Sequence, residues 1–328
     1  MGDIIDPASR LAKLLKKQTP RFAAGFQLLV SQIKEAADLQ LIADLIEAGR
    51  LEEAFTATLR STPRLGNLYV DSFMNAANDT AAFLNRNVAG LVVNFDQTNP
   101  FAMRVARDNQ LRLVAQFSET QRAATRAALI DGLQTGANPI EQARNFRDSI
   151  GLTEKQVKAV NNYKRLLSEG DKAVFDRALR DKRFDSTIRQ AIADGKPLTR
   201  TQVNRMVDRY RERYIQYRSR VIARTESLKS IHQGKHSMYE QAIEAGELDP
   251  TNLTQEWNTA VDERVRGSHS DMHGQTQPWG SLFISGKGNA AEHPGGFGIA
   301  EEDIQCRCAV GTRIPELAVS PGTTVTIL

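Results

Sequence analysis

The sequence predicts a mainly α protein: a long helical arm or bundle followed by a small C-terminal α+β domain. Three observations carry that expectation. Apolar residues recur at helical spacing through most of the first 245 positions. After Pro250 the pattern changes to short β-compatible runs separated by Gly, Ser, His and Pro. All five histidines, both cysteines and both tryptophans fall between Arg224 and Cys308. The chain thus reads as an N-terminal helical region (1–98), a second helical region (99–198), and a C-terminal part (199–328) that opens on a long basic helix.

In chain order, Leu11, Leu14, Leu15, Phe22, Phe26, Leu29 and Ile33 share a helical stripe, with an interruption expected at Pro20. Further helices are expected over 36–46 and 51–59, closed by Gly49 and by Ser61-Thr62-Pro63, and then over 67–84. Asn99-Pro100 starts a helix through Met103, Leu111 and Val114, and another runs from Glu119 to about Gly132. Gly136 and Pro139 mark a break, after which a helix reaches Ile150; Thr153 with Gln156 reads as the capping box of the next. The charged stretch 161–195 suits a short helical hairpin or two. Thr199 and Gln202 then cap the longest helix, which continues to Ala245 with Gly246 as its stop, unless Gly234 ends or bends it early. Strands are expected within 253–261, 279–284, 309–314 and 323–328.

Composition narrows the class. A chain of 328 residues that is 41% hydrophobic and 25% charged can bury a sizeable core, as soluble globular proteins do. No run approaches the roughly 18 apolar residues that span a bilayer, and the start lacks the basic-then-apolar pattern of a secretory leader. Two cysteines make no disulfide framework, so a reducing compartment is expected.

The net charge of +4 is unevenly spread. Residues 200–235 hold ten Lys or Arg against three Asp or Glu, a local +7 that leaves −3 for the rest. At 100° per residue, Arg205, Arg209, Arg213, Arg220 and Arg224 fall in one sector of the long helix. Met206, Val207, Tyr210, Tyr214, Tyr217, Val221 and Leu228 occupy the neighbouring one. Such a ladder suits the phosphates of a nucleic acid, with the interleaved tyrosines able to stack on unpaired bases; it also suits an acidic protein surface, or solvent with local ion pairs to Asp208, Glu212 and Glu226.

The His and Cys residues allow a metal. His269 and His273 are four apart, on one face if helical; Cys306 and Cys308 are two apart, on one face if extended. Together they make a zinc set in type, though not in a C-x-x-C spacing. The bland alternative is buried small thiols and backbone-bonded imidazoles. His232 and His236, four apart on the long helix, suit a solvated surface. No P-loop, dinucleotide fingerprint or H-E-x-x-H occurs, so an enzyme reading, a metal-dependent nuclease or transferase using His269, Asp262 and the cysteine pair, rests on residue types alone.

Three motifs in order carry a resemblance. Ile222-Ala223-Arg224-Thr225-Glu226 lies late on the long helix. Trp257 follows, then Thr259, Asp262, Arg264-Val265-Arg266, His269 and His273-Gly274. Phe283, Pro294-Gly295-Gly296 and Cys306-Arg307-Cys308 complete the set. The run resembles the phage Mu protein F-like family of minor head, or head morphogenesis, proteins; Gln305 departs from the Asn common there. The resemblance implies a tailed-phage virion protein of the capsid interior near the portal vertex, made in the host cytoplasm. It further implies contacts with the portal protein, with major capsid or scaffolding proteins and with packaged DNA, and allows self-association. It implies no membrane and no required cofactor. An adaptor that binds only other capsid proteins is the alternative role.

Overall fold

A computed structural model describes residues 4–315; the strand expected within 323–328 lies outside them. The chain begins with β1 (Ile4–Asp6) and continues into α1 (Ala8–Glu35), α2 (Leu39–Glu47), α3 (Leu51–Thr58), α4 (Pro63–Asn87), α5 (Pro100–Gln134), α6 (Pro139–Ser149) and α7 (Glu154–Glu169). Two 3-10 turns, Lys172–Asp176 and Lys182–Phe184, lead into α8 (Asp185–Ala193) and the 45-residue α9 (Arg200–Glu244). Short elements follow: β2 (Thr254–Asn258), α10 (Gly267–Ser270), β3 (Thr276–Pro278), β4 (Phe283–Ile284), β5 (Ala290–Ala291), α11 (Ala300–Asp303) and β6 (Ala309–Ile314). The mainly α class with a small C-terminal α+β part is as the sequence predicts.

Local chemistry sets most boundaries. Asn138 and Glu141 form a reciprocal capping box with Pro139 at the first helical position, and Thr153 and Gln156 form another. Gly170 closes α7 in the left-handed conformation. Two expected breaks are absent, and the alternative of a stop at Gly234 is not taken. α1 continues through Pro20, which is exposed, so its ring faces solvent and only one backbone hydrogen bond is forfeited. The two helices expected before and after residue 117 are the single α5. α9 passes through Gly234, where a Cβ would lie 2.3 Å from the Phe73 carbonyl oxygen and 3.1 Å from Ala76 Cβ. That glycine lets α9 and α4 approach backbone to backbone.

The chain divides into two compact units, each drawn from separated stretches of sequence. One contains residues 24–65 and 112–219. Its core joins Tyr163, Leu166, Val203, Met206 and Tyr210, and a second cluster packs Ile42 and Phe55 against Phe146. Arg218 is buried here, donating to the Leu152 carbonyl at 2.7 Å with its guanidinium over Phe117.

The other unit contains residues 1–23, 66–111 and 220–328. Its main sheet is antiparallel in the order β1-β6-β2-β3, and β4 pairs with β5 separately. Leu11 and Leu15 of α1, Ala76 of α4 and Leu228 and Ile231 of α9 pack with Trp257, Met272, Phe283 and Val310. Asp6 is fully buried there. It accepts from Arg10 at 2.6 and 2.8 Å and from the Tyr239 hydroxyl at 3.2 Å, and lies 3.3 Å from Lys235 Nζ, which donates to the Val310 carbonyl at 3.1 Å. Burial raises the carboxyl pKa, but the Lys235 and Arg10 charges outweigh it and hold Asp6 below the usual carboxylate range.

Candidate functional site

The motif residues converge on one short segment, 304–308. Arg224, midway along α9, donates from Nε to the Cys306 carbonyl at 3.2 Å, and Thr225 Oγ1 accepts from the Gln305 N–H at 3.0 Å. Asp262 pairs with Arg307 at 2.7 Å, and Arg266 donates to the Ile304 carbonyl. Trp257 is fully buried, packing its ring against His269, Phe283 and Phe297. Glu226 is buried beside them in sequence. Gln305 has φ +58°, in the left-handed region that Asn tolerates better than other side chains.

Within this frame His269, Cys306 and Cys308 meet, all buried, with their ligand atoms within 4.8 Å of one another. His269 Nδ1 is 3.5 Å from each sulfur. Its Nε2 faces Glu302 Oε2 at 2.9 Å. Glu302 is itself buried and accepts from Ser268 at 2.9 Å, Asn289 at 3.0 Å and Ser285 at 3.2 Å. Burial works to raise the Glu302 pKa, but these hydrogen bonds and His269 lower it on balance. Burial likewise opposes a charge on His269, yet Cys306 and Glu302 raise its pKa. The Cys306 thiol is lowered to about 5 by its hydrogen bond with Cys308, against burial and with help from His269, while Cys308 is pushed up. His273 does not join the group: it is exposed, and its Nδ1 accepts from the Thr259 N–H at 3.2 Å. Glu302 had no signal in the sequence, since nothing about Glu301-Glu302-Asp303 distinguishes the middle carboxylate.

Of the other histidines, His232 and His293 are buried and His236 is half-buried. His232 and His293 stack at 5.6 Å, both buried, and His236 stacks on Trp279 at 4.9 Å. A solvated surface, expected for His232 and His236, is not what the fold provides, because α9 is enclosed along this stretch.

The arginine ladder is divided between the units, Arg205, Arg209 and Arg213 in one and Arg220 and Arg224 in the other. Arg205 is exposed, with its guanidinium over Phe184, and Arg220 is exposed. Arg209 and Arg213 lie 3.5 and 3.3 Å from the buried carboxylate of Asp181, and Arg209 also pairs with Glu212 at 2.6 Å. The neighbouring tyrosines serve the core: Tyr210 stacks on Tyr163 at 4.2 Å.

The ordered Arg-Thr-Glu, Trp, His and Cys-Arg-Cys motifs on which the resemblance rests thus meet in one unit of the fold. Residues 182–311 match the family described as Phage Mu protein F like protein. Among curated proteins, the chain is 30% identical over 93 residues to the minor head protein GP7 of Bacillus phage SPP1, covering 28% of this chain and 29% of that one. It is 32% identical over 87 residues to the NAD(+)--arginine ADP-ribosyltransferase EFV of Enterococcus faecalis (strain ATCC 700802 / V583), covering 26% of this chain and 17% of that one. The chain thus spans less than a third of either relative. No solved structure matches. Among the described residues, no helix is long and apolar enough to cross a membrane.

Proposed function

We propose that this chain is a minor head protein of a tailed phage, a non-enzymatic component that acts in head morphogenesis. The observation that carries the reading is the family match over 182–311, on a segment whose motif residues form one interlocked domain. The identity to a phage minor head protein adds to it. In this reading the protein resides in the virion, inside the capsid near the portal vertex, and passes through the host cytoplasm during assembly. It docks on the portal protein and on major capsid or scaffolding proteins. Co-purification of a tagged chain with portal protein from infected cells tests the role. A chain that associates with no head component, and whose loss leaves head assembly and infectivity unchanged, overturns it.

The same reading places double-stranded DNA along Arg205, Arg209, Arg213, Arg220 and Arg224 during packaging or ejection. Pairing makes these residues unequal. Arg209 and Arg213 already face Asp181, and Arg224 serves the Cys306 carbonyl, so phosphate contact rests mainly on Arg205 and Arg220. Arg205→Glu with Arg220→Glu should weaken DNA binding and reduce its salt dependence, whereas Asp181→Asn, which removes the carboxylate shared by Arg183, Arg209 and Arg213, should strengthen binding. If the unaltered protein shows no affinity for DNA at low salt, the partner set reduces to capsid proteins and the adaptor role holds.

A further inference from the structure

We infer that His269, Cys306 and Cys308 bind one zinc ion, oriented by Glu302, and that this ion staples the C-terminal α+β unit. The first argument is distance. Zinc takes nitrogen at about 2.0 Å and thiolate sulfur at about 2.3 Å, so a tetrahedral angle separates ligand N and S by about 3.5 Å. His269 Nδ1 stands 3.5 Å from Cys306 Sγ and 3.5 Å from Cys308 Sγ. At that spacing a cation can sit between the atoms at ordinary zinc distances from each.

The second argument is the carboxylate. A metal-bound imidazole ordinarily presents its other nitrogen to a carboxylate or carbonyl, which fixes the ring and raises its basicity. Glu302 stands beside that nitrogen, its Oε2 2.9 Å from Nε2 though out of line for a hydrogen bond, and is itself fixed by Ser268, Ser285 and Asn289. A buried carboxylate held by three donors and aimed at one imidazole is costly unless positive charge lies close by. Zinc bound to two thiolates is formally neutral and polarises the imidazole, which makes its Nε2–H a stronger partner for the Glu302 carboxylate.

The third argument is the backbone. The Cys-Arg-Cys segment is fixed from α9 by Arg224 and Thr225 and from the 262–266 loop by Asp262 and Arg266. The two sulfurs are therefore placed before any metal arrives. Three protein ligands leave one tetrahedral position for water or another small ligand. His273 is not a ligand, since it is engaged with Thr259 outside the group.

Metal analysis of the full chain purified without chelator should give about one equivalent of zinc. Replacement by cobalt should give the visible absorption of tetrahedral Co(II) and a near-ultraviolet thiolate charge-transfer band. Cys306→Ser and Cys308→Ser should each abolish the thiolate band or halve it, Glu302→Gln should weaken metal affinity 10- to 100-fold, and His273→Ala should leave both readouts unchanged. Should the cysteine variants fail to fold, the unaltered chain and His273→Ala still decide. Less than about a third of an equivalent of zinc, with no cobalt spectrum after reconstitution, overturns the site. So does loss of metal in His273→Ala with folding intact. Neither outcome bears on the head-protein reading, which rests on other observations.

Discussion

Among the described residues, Gln305 and Val261 carry the positive φ values outside glycine, +58° and +49°. Each side chain is held against its own preference, at a cost on the order of 1 kcal/mol. At Gln305 the position is set by the bond from its N–H to Thr225, which any side chain leaves intact. Gln305→Asn should therefore raise stability by about 0.5 kcal/mol, read as a higher urea midpoint at unchanged slope. His293 gives a second prediction. Burial, with help from the His236 and Lys229 charges and against its bond to the Pro294 carbonyl, lowers its pKa to about 4. A lowered folded pKa means that its stabilising effect is complete above the unfolded value of about 6.5 and is lost as pH falls towards 4. The loss over that window is about 3 kcal/mol at most. His232, stacked on it and lowered in the same direction by burial, adds to the same slope. Urea midpoints at pH 7.5 and 5.5 should differ, and His293→Asn should narrow the difference.

At the scale of the element, proline and glycine tested the sequence reading most. Helix periodicity located α1, α4, α6, α7 and α9 because their buried stripes are long and their caps local. The breaks at Pro20 and Gly234 were not real, since what a proline or glycine does depends on what faces it. Pro20 is exposed within α1, so Pro20→Ala should raise stability by about 1–3 kcal/mol, seen as a higher thermal midpoint. Gly234→Ala should do the reverse and destabilise by about 1–3 kcal/mol, because the new methyl group meets the Phe73 carbonyl and the α4 backbone. Helix propensity alone predicts the opposite sign for Gly234, which makes its measurement decisive. The short strands were read less well than the helices: β6 was legible over its full span, whereas β1 and β5, three and two residues long, carry no pattern that a sequence can show.

At the scale of the molecule, the stretch 199–328 is not sufficient for the unit it dominates. β6 pairs with β1, buried Lys235 needs Asp6, and Leu11 and Leu15 complete the core around Trp257. A fragment of residues 199–328 would bury a lysine without its carboxylate and expose one edge of β6. It should show no cooperative unfolding transition by circular dichroism, whereas the whole chain should. By itself the sequence determined the helical class, the capped helices, the change of character after Pro250 and the ordered motifs of the Mu F-like segment. These are local or order-dependent features, written in neighbouring residues. Only the tertiary structure decided that Glu302, and not His273, completes the His269–Cys306–Cys308 group, and that Asp181 takes up two rungs of the arginine ladder. Those outcomes depend on distances between residues far apart in sequence, which burial and chain reversal set and which spacing along the chain does not encode.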